Sequence, residues 1–170
     1  NKPTTAAKFI VADMADTGLA PESQDLVWSN MALHWHHKPH DVLAEWRRVL
    51  RTGGLVMFSC LGPGSLKALR RALAEAEIQT AVPQFVDMHD FGDLLIEQGF
   101  ADPVMDQETI TLTYRSPQKL LDDLKILGGN PSIGRRAGLV GRQWRDRLVA
   151  AFEKQRHMDG TIHLELEVAY

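Results

Sequence analysis

The segment from Asp25 to Gly54 constrains the fold of this chain more than any other stretch of its sequence. It begins with a short apolar run, DLVWSN, passes through a polar turn into an amphipathic stretch, and ends at a glycine pair. A second apolar run, LVMFSC, follows at once. This order predicts two parallel strands joined by a right-handed helical crossover, with a ligand site beyond the carboxyl end of the first strand.

Three side chains suited to binding a small molecule follow that first strand: Asn30, His34 and Trp35. An amide, an imidazole and an indole together at a strand end favour a small-molecule site over a packing role. Asp13 ends an earlier apolar run, where it is either a loop cap or an acceptor for an amino or hydroxyl group of a nucleotide. The sequence leaves those two readings of Asp13 open.

Histidines crowd the turn after the first strand, and some of their spacings would suit a metal if the turn were helical. They are His34, His36, His37 and His40. Pro39 interrupts the backbone there, and neither a carboxylate nor a thiol has clear ligand spacing. We therefore predict no metal site, with His34 lining a pocket and the other three solvated.

The remaining pattern predicts an α/β fold. An apolar stripe predicts a helix from His40 to Arg51 that stops at Gly53-Gly54. The apolar run KFIVADM, residues 8–14, predicts a further parallel strand, and Trp28, Trp46 and Trp144 are expected in the core. Further helices are predicted over residues 65–78, 87–98, 116–127 and 139–157, and further strands over residues 104–114 and 163–170.

Composition narrows the class of protein. The chain has 170 residues, 44% of them hydrophobic, which is ordinary for a globular domain. A net charge of −3 gives no footprint for nucleic acid, and no apolar run approaches bilayer length. The single cysteine, Cys60, lies in an apolar strand, which fits a cytoplasmic protein. The chain begins at Asn1 and stops at Tyr170 inside a predicted strand, so we expect both ends to be cuts through a larger domain.

Two other features have competing interpretations. LGPGSLK, residues 61–67, resembles a dinucleotide-binding loop, but Lys67 stands where the third glycine belongs, so a glycine-rich turn is the better prediction. A basic cluster surrounds the start of the last helix and is either a solvated face or a docking surface for an acidic protein. Its members are Arg135, Arg136, Arg142, Arg145 and Arg147.

Several of these motifs together resemble the later half of a class I S-adenosylmethionine-dependent methyltransferase. They are VADM, DLVWSNMALHW and VLAEWRRVLRTGGLVMFS. The later segments LGPGSLKALR, TLTYRSPQKLLDDLK and LELEVAY are similar to one branch, the biotin-pathway malonyl-acyl-carrier-protein O-methyltransferases.

The resemblance implies a Rossmann-like sheet with helices on both faces, truncated at its amino end because the first two strands and the glycine-rich cofactor loop are absent. Residues 1–115 would be the carboxyl-terminal part of the core, residues 116–160 a helical insertion over the acceptor site, and residues 161–170 the last core strand. Asp13 and Met14 match positions beside the adenine of S-adenosylmethionine, and Asn30 matches one beside its methionine portion. His34 and Trp35 match the border of the methyl-acceptor pocket.

The leading hypothesis is methyl transfer from S-adenosylmethionine to the free carboxylate of malonyl-acyl-carrier protein. Arg115 either binds a group of the substrate, the acceptor carboxylate or the carrier's phosphate, or is a surface arginine. The carrier would dock on four further arginines: Arg135, Arg136, Arg142 and Arg145. An arginine-hydroxylating assembly factor, which resembles the same branch, is the alternative enzyme. A third hypothesis is an inactive unit that only associates, dimerising through an exposed strand edge. We expect weak cofactor binding by these residues alone, and neither nucleic acid nor membrane as a partner.

Overall fold

A computed structural model describes residues 7–80, 82–126 and 142–170. Within this part of the chain, four strands form one mixed sheet in the order β1-β2-β4-β3. The strands are β1 (Gln24–Asn30), β2 (Leu50–Leu61), β3 (Gln107–Tyr114) and β4 (Ile162–Ala169). β1 and β2 are parallel, as the sequence predicts, and β4 is antiparallel to both β2 and β3.

Five α-helices and one 3₁₀ turn connect or flank these strands in the described ranges. They are η1 (Leu33–Trp35), α1 (Pro39–Val49), α2 (Lys67–Glu75), α3 (Met88–Glu97), α4 (Pro117–Ile126) and α5 (Arg142–Glu153). In the described part of the chain, no helix is long and apolar enough to cross a membrane.

Helix α1 is the crossover between the parallel strands, and it carries the predicted apolar stripe. Val42 and Leu43 are wholly buried, and Trp46 joins them in a cluster with Phe58 of β2 and Phe91 of α3. The stripe therefore packs α1 against one face of β1 and β2.

The end of α1 differs from the prediction. The helix stops at Val49, and Leu50 already has extended backbone as the first residue of β2. Gly53 and Gly54 lie within that strand instead of ending the helix, near an irregularity in the pairing of β2 with β1. Glycine marks backbone irregularity in a strand as well as a helix stop, so the pair alone does not distinguish the two.

The prediction that residues 8–14 form a parallel strand is wrong. This segment has no strand pairing apart from an isolated bridge between Asp13 and Asp16. Phe9 and Val11 are almost fully exposed. A strand needs a neighbour to satisfy its backbone groups, and no described strand lies alongside this run.

The prediction that Trp28 lies in the core is also wrong, since the residue is 74% exposed. Alternate residues of a strand face opposite sides of the sheet, and α1 covers only one side of β1 and β2. Trp28 and Leu26 point to the other side, together with Leu55 and Met57 of β2, all of them about half exposed or more. Trp46 is buried as predicted, and Trp144 is partly buried against a second cluster.

That second cluster lies on the β3–β4 side of the sheet. It joins β4 to α2, α4 and α5 through Leu73, Leu120, Leu148, Phe152 and Leu164, all buried. Helices α4 and α5, which lie within the predicted insertion, therefore pack on the same core as α2.

Candidate functional site

The carboxyl end of β1 carries a small network of neutral polar groups. The hydroxyl of Ser59, in β2, donates to Oδ1 of Asn30 at 2.7 Å, and the amide of Met31 donates to Ser59 Oγ at 3.1 Å. Ser59 is buried, whereas Asn30 is exposed. Because Oδ1 is engaged, the Nδ2 group of Asn30 faces away from Ser59 as a donor for a ligand.

His34 and Trp35 lie on the 3₁₀ turn that follows, anchored by the fully buried Leu33. The rings of His34 and Trp35 are 4.8 Å apart, and Phe85 contacts His34 edge-on at 5.6 Å. Burial lowers the pKa of His34 to about 4, so the imidazole is neutral near pH 7. The rings of Trp35 and Phe85 together with the neutral imidazole of His34 form a mostly apolar wall, in which the imidazole is the polar group.

Asp13 and Met14 lie in the segment before β1, near the same turn. Asp13 Oδ1 accepts a hydrogen bond from the amide of Ala15 at 2.8 Å, and His36 Nε2 lies 3.5 Å from the same oxygen. Met14 packs against the cluster that contains Leu33. The structure thus brings Asp13 next to the turn that carries His34 and Trp35.

The loop that carries Asp13 is fastened to α1 by Glu45. This nearly buried carboxylate accepts from the amide and hydroxyl of Thr17 and pairs with Arg48 at 2.6 Å. The Arg48 guanidinium, together with Thr17, holds the pKa of Glu45 at about 2 against the opposing effect of burial.

Arg115 follows β3. β3 and β2 are each antiparallel to β4, so they run in the same direction. The pairings place Gln107, the first residue of β3, level with Cys60 near the end of β2, so Arg115 lies eight residues, roughly 26 Å, beyond the ends of β1 and β2 along the sheet. The side chain of Arg115 is exposed, and its carbonyl accepts from Arg156.

The predicted docking cluster is only partly described. Arg135 and Arg136 lie outside the described residues, and Arg142 is the first residue of α5. Arg145 pairs with Asp122 of α4 at 2.9 Å. Part of the positive charge predicted for this face is therefore neutralised by a neighbouring helix.

The glycine-rich loop after β2 is filled by a side chain of the same chain. Gly64 donates its amide to Oε1 of Glu167 at 3.0 Å, and Gly62 donates its amide to the Glu167 carbonyl at 2.8 Å. A Cβ on either glycine would collide with the Glu167 side chain. The glycines permit this close approach, which accounts for the loop without a bound phosphate.

A cavity of about 670 Å³ opens elsewhere, beside the first half of β2. Its wall includes Met57, Phe58, Phe100 and Tyr170, and it contains none of the predicted site residues. The cavity exists because β4 pairs with β2 only at Cys60 and Leu61, so the rest of that edge of β2 lies open.

Two further residues of this region, Ser59 and Phe85, were not predicted from the sequence. A serine inside the apolar run LVMFSC was the available signal for Ser59, because a buried hydroxyl needs a partner. Phe85 lies in an irregular segment with no periodic pattern, and only the fold brings it to His34.

Residues 1–58 match the family described as "Methyltransferase domain". The chain is 48% identical over 166 residues to the malonyl-[acyl-carrier protein] O-methyltransferase of Laribacter hongkongensis, covering 97% of this chain and 56% of that protein. It is 44% identical to the enzyme of that name from Gallionella capsiferriformans, covering 95% of this chain and 56% of that protein. The predicted resemblance to class I S-adenosylmethionine-dependent methyltransferases is confirmed. The chain spans little more than half the length of these curated relatives.

Solved structures agree on the fold. A candidate methyltransferase from Bacillus halodurans C-125 superposes with a TM-score of 0.62 at 13% identity, covering 95% of this chain and 74% of that one. The YcgJ protein of Bacillus subtilis superposes with a TM-score of 0.55 at 10% identity, covering 93% of this chain and 66% of that one. The predicted Rossmann-like methyltransferase fold is therefore confirmed.

Proposed function

We propose that the protein carrying this chain transfers a methyl group from S-adenosylmethionine to the free carboxylate of a malonyl thioester on acyl carrier protein, a step of biotin biosynthesis. The observation that carries the proposal is similarity of 44% to 48% identity, over at least 95% of the chain, to relatives bearing that enzyme name. The similarity runs through the insertion helices as well as the sheet, so it includes the part that would meet the acceptor.

Asp13, Met14 and Asn30 fit the cofactor by their chemistry. The Asp13 side chain is 61% exposed, and its described contacts are to Oδ1, which leaves Oδ2 to accept from an amino or hydroxyl group. Asn30, at the end of β1, offers its Nδ2 donor, and Met14 adds an apolar surface. When bound, S-adenosylmethionine supplies an electrophilic methyl group on a sulfonium.

The acceptor needs no general base. A malonyl carboxylate is ionised at neutral pH and can attack directly, so the task of the protein is alignment and exclusion of water. The wall formed by His34, Trp35 and Phe85 suits that task, because it is mostly apolar and closes one side of the strand end.

Arg115 is better placed for the carrier's phosphate than for the reacting carboxylate. It lies three strands from β1 and roughly 26 Å along the sheet beyond the level of Cys60, which exceeds the reach of one side chain from the end of β1. A guanidinium at that distance suits the phosphate at the carrier end of the thioester arm, with which it forms bidentate hydrogen bonds.

Methyl transfer is tested with the full-length protein, labelled S-adenosylmethionine and malonyl-acyl-carrier protein. We expect the carrier to gain one methyl group, detected by intact mass. Acetyl-acyl-carrier protein, which lacks the free carboxylate, is the matched control and should stay unmodified. Equal labelling of both carriers would contradict the proposed acceptor, and oxidation of a protein arginine without methyl transfer would favour the hydroxylase alternative.

One observation supports the hypothesis that residues 1–170 associate by themselves. Trp28, Leu26, Leu55 and Met57 form an exposed apolar face next to β1, which has no described neighbour on its outer edge. Size-exclusion chromatography of residues 1–170 should then give a dimer. A monomer at high micromolar concentration would refute this.

A further inference from the structure

β2 extends beyond the end of β1, and this leaves one backbone donor in need of a partner. The last pair in register is Asn30 with Ser59, and the amide of Met31 still donates to the Ser59 carbonyl at 3.0 Å. Met31 then adopts a left-handed backbone, with φ of 51°, which turns the chain out of the sheet. In a regular parallel ladder, the amide of Leu61 would next donate to the carbonyl of Met31.

His34 supplies the missing acceptor. The amide of Leu61 donates to His34 Nδ1 at 3.1 Å, so a side chain continues the ladder where the strand has ended. The ring is also held by Trp35 on one side and by the edge of Phe85 on another. Its position and orientation are therefore fixed by three contacts, none of which carries a charge.

This hydrogen bond decides where the imidazole proton is. A nitrogen that accepts from a backbone amide has no proton of its own, so the neutral ring carries its proton on Nε2. A second proton on Nδ1 would face the Leu61 N–H. Burial also opposes the charged ring and lowers the pKa of His34 to about 4. No described residue accepts a hydrogen bond from Nε2, whose N–H is free for a ligand.

We propose that His34 positions the methyl acceptor by donating a hydrogen bond from Nε2 to an oxygen of its carboxylate or thioester carbonyl, beside the Nδ2 donor of Asn30. This assignment rests on the function proposed above and gives His34 a defined role in it. His34 is a substrate-binding donor and never a base, because Nδ1 is occupied and Nε2 is protonated.

A neutral donor suits this reaction better than a cation would. The attacking carboxylate loses its negative charge as the new bond to the methyl group forms. A positive charge beside it would therefore stabilise the bound substrate more than the transition state, and would slow the step. A neutral N–H also orients the oxygen, but it stabilises the bound carboxylate over the transition state by less than a cation does. The Leu61 amide keeps the imidazole in that neutral form.

The tautomer is tested directly by ¹⁵N NMR of the histidine rings in the full-length protein. We expect the His34 signals of an Nε2–H tautomer, unchanged from pH 8 to pH 6. Titration of His34 near pH 6.5, or a proton on Nδ1, would overturn the proposal. This measurement needs no substrate, so it is independent of whether the proposed methyl transfer occurs.

The donor role is tested by two substitutions. His34→Asn keeps an acceptor near the Nδ1 position for Leu61 but removes the distal N–H, whereas His34→Gln restores an N–H near the Nε2 position. We expect His34→Asn to melt like the wild type, to bind S-adenosylmethionine normally, and to lose about tenfold in kcat/KM for malonyl-acyl-carrier protein, the usual effect of one lost hydrogen bond. His34→Gln should recover most of that loss.

Unchanged kcat/KM in His34→Asn, or a loss confined to S-adenosylmethionine binding, would refute the assignment. If His34→Asn fails to fold, His34→Gln decides, because a folded His34→Gln protein that is as impaired as an alanine variant would exclude the donor role. A wild-type protein that does not methylate malonyl-acyl-carrier protein refutes the proposed function instead, whatever the NMR shows.

Discussion

Replacing Gly64 by alanine tests whether the loop after β2 is built around Glu167. The new Cβ would overlap Oε2 of Glu167, and it would lie 2.8 Å from Cδ and 3.3 Å from Cβ of that residue. The Glu167 carboxylate accepts from the Gly64 amide, and the backbone N–H and carbonyl of Glu167 are both hydrogen-bonded to the hydroxyl of Ser65. The carboxylate therefore cannot move aside without breaking its hydrogen bond.

The magnitude follows from what must break. Displacing the carboxylate removes its hydrogen bond from the Gly64 amide, and a bond to a charged group contributes about 1.5–3 kcal/mol. The restriction that alanine places on the unfolded chain offsets about 0.4–1 kcal/mol of this. We expect Gly64→Ala to lower the free energy of unfolding by about 0.5–2.6 kcal/mol. In a Glu167→Ala background, where both the overlap and the bond are gone, the same substitution should be close to neutral.

Urea unfolding of the wild type, the two single variants and the double variant gives the coupling energy. Gly92→Ala is the matched control: the added Cβ in α3 would lie 3.8 Å from Met105, and alanine should stabilise the helix by about 0.5–1 kcal/mol. An equal cost of Gly64→Ala with and without Glu167 would refute the reasoning, since the loop would then resist a side chain for a reason unrelated to that carboxylate.

Three further outcomes are expected. Glu45→Gln should lower the free energy of unfolding by about 1–2 kcal/mol at pH 7, measured in urea. Because the folded pKa of Glu45 is about 2, this loss should be complete above the unfolded pKa of 4.5 and should shrink as the pH falls from 4.5 towards 2. A loss that stays constant over this pH range would contradict the prediction. Asp13→Ala should weaken S-adenosylmethionine binding by the full-length protein by about 1–2 kcal/mol in calorimetry, and unchanged affinity would exclude Asp13 from the cofactor site. Arg142→Glu with Arg145→Glu should slow turnover of malonyl-acyl-carrier protein and spare a small malonyl thioester. Arg145→Gln with Asp122→Asn, which removes the ion pair without changing net charge, controls for lost packing, and equal slowing of both substrates would argue against docking.

Local patterns were enough to predict the elements that carry their own signals. The stripe through Val42, Leu43 and Trp46 predicted α1 and its buried face, because helical periodicity depends only on neighbours within two turns. The helix predicted over residues 87–98 is α3, which Asp87 and Gly99 bracket: the Asp87 side chain accepts from the amide of His89, and Gly99 has φ of 80°. The parallel pairing of β1 with β2 followed from the length and polarity of the segment between them.

The tertiary structure decided those features that depend on contacts between residues far apart in the sequence. Residues 8–14 have the composition of a strand but no described strand to pair with, and Trp28 is exposed because α1 lies on the opposite face of β1. Glu167 is 103 residues from Gly64, and Leu61 is 27 residues from His34. The sequence alone could place His34 beside a pocket. Its protonation and its free donor depend on a backbone amide left unpaired where two strands of unequal length end, a relation that exists only once the sheet has formed.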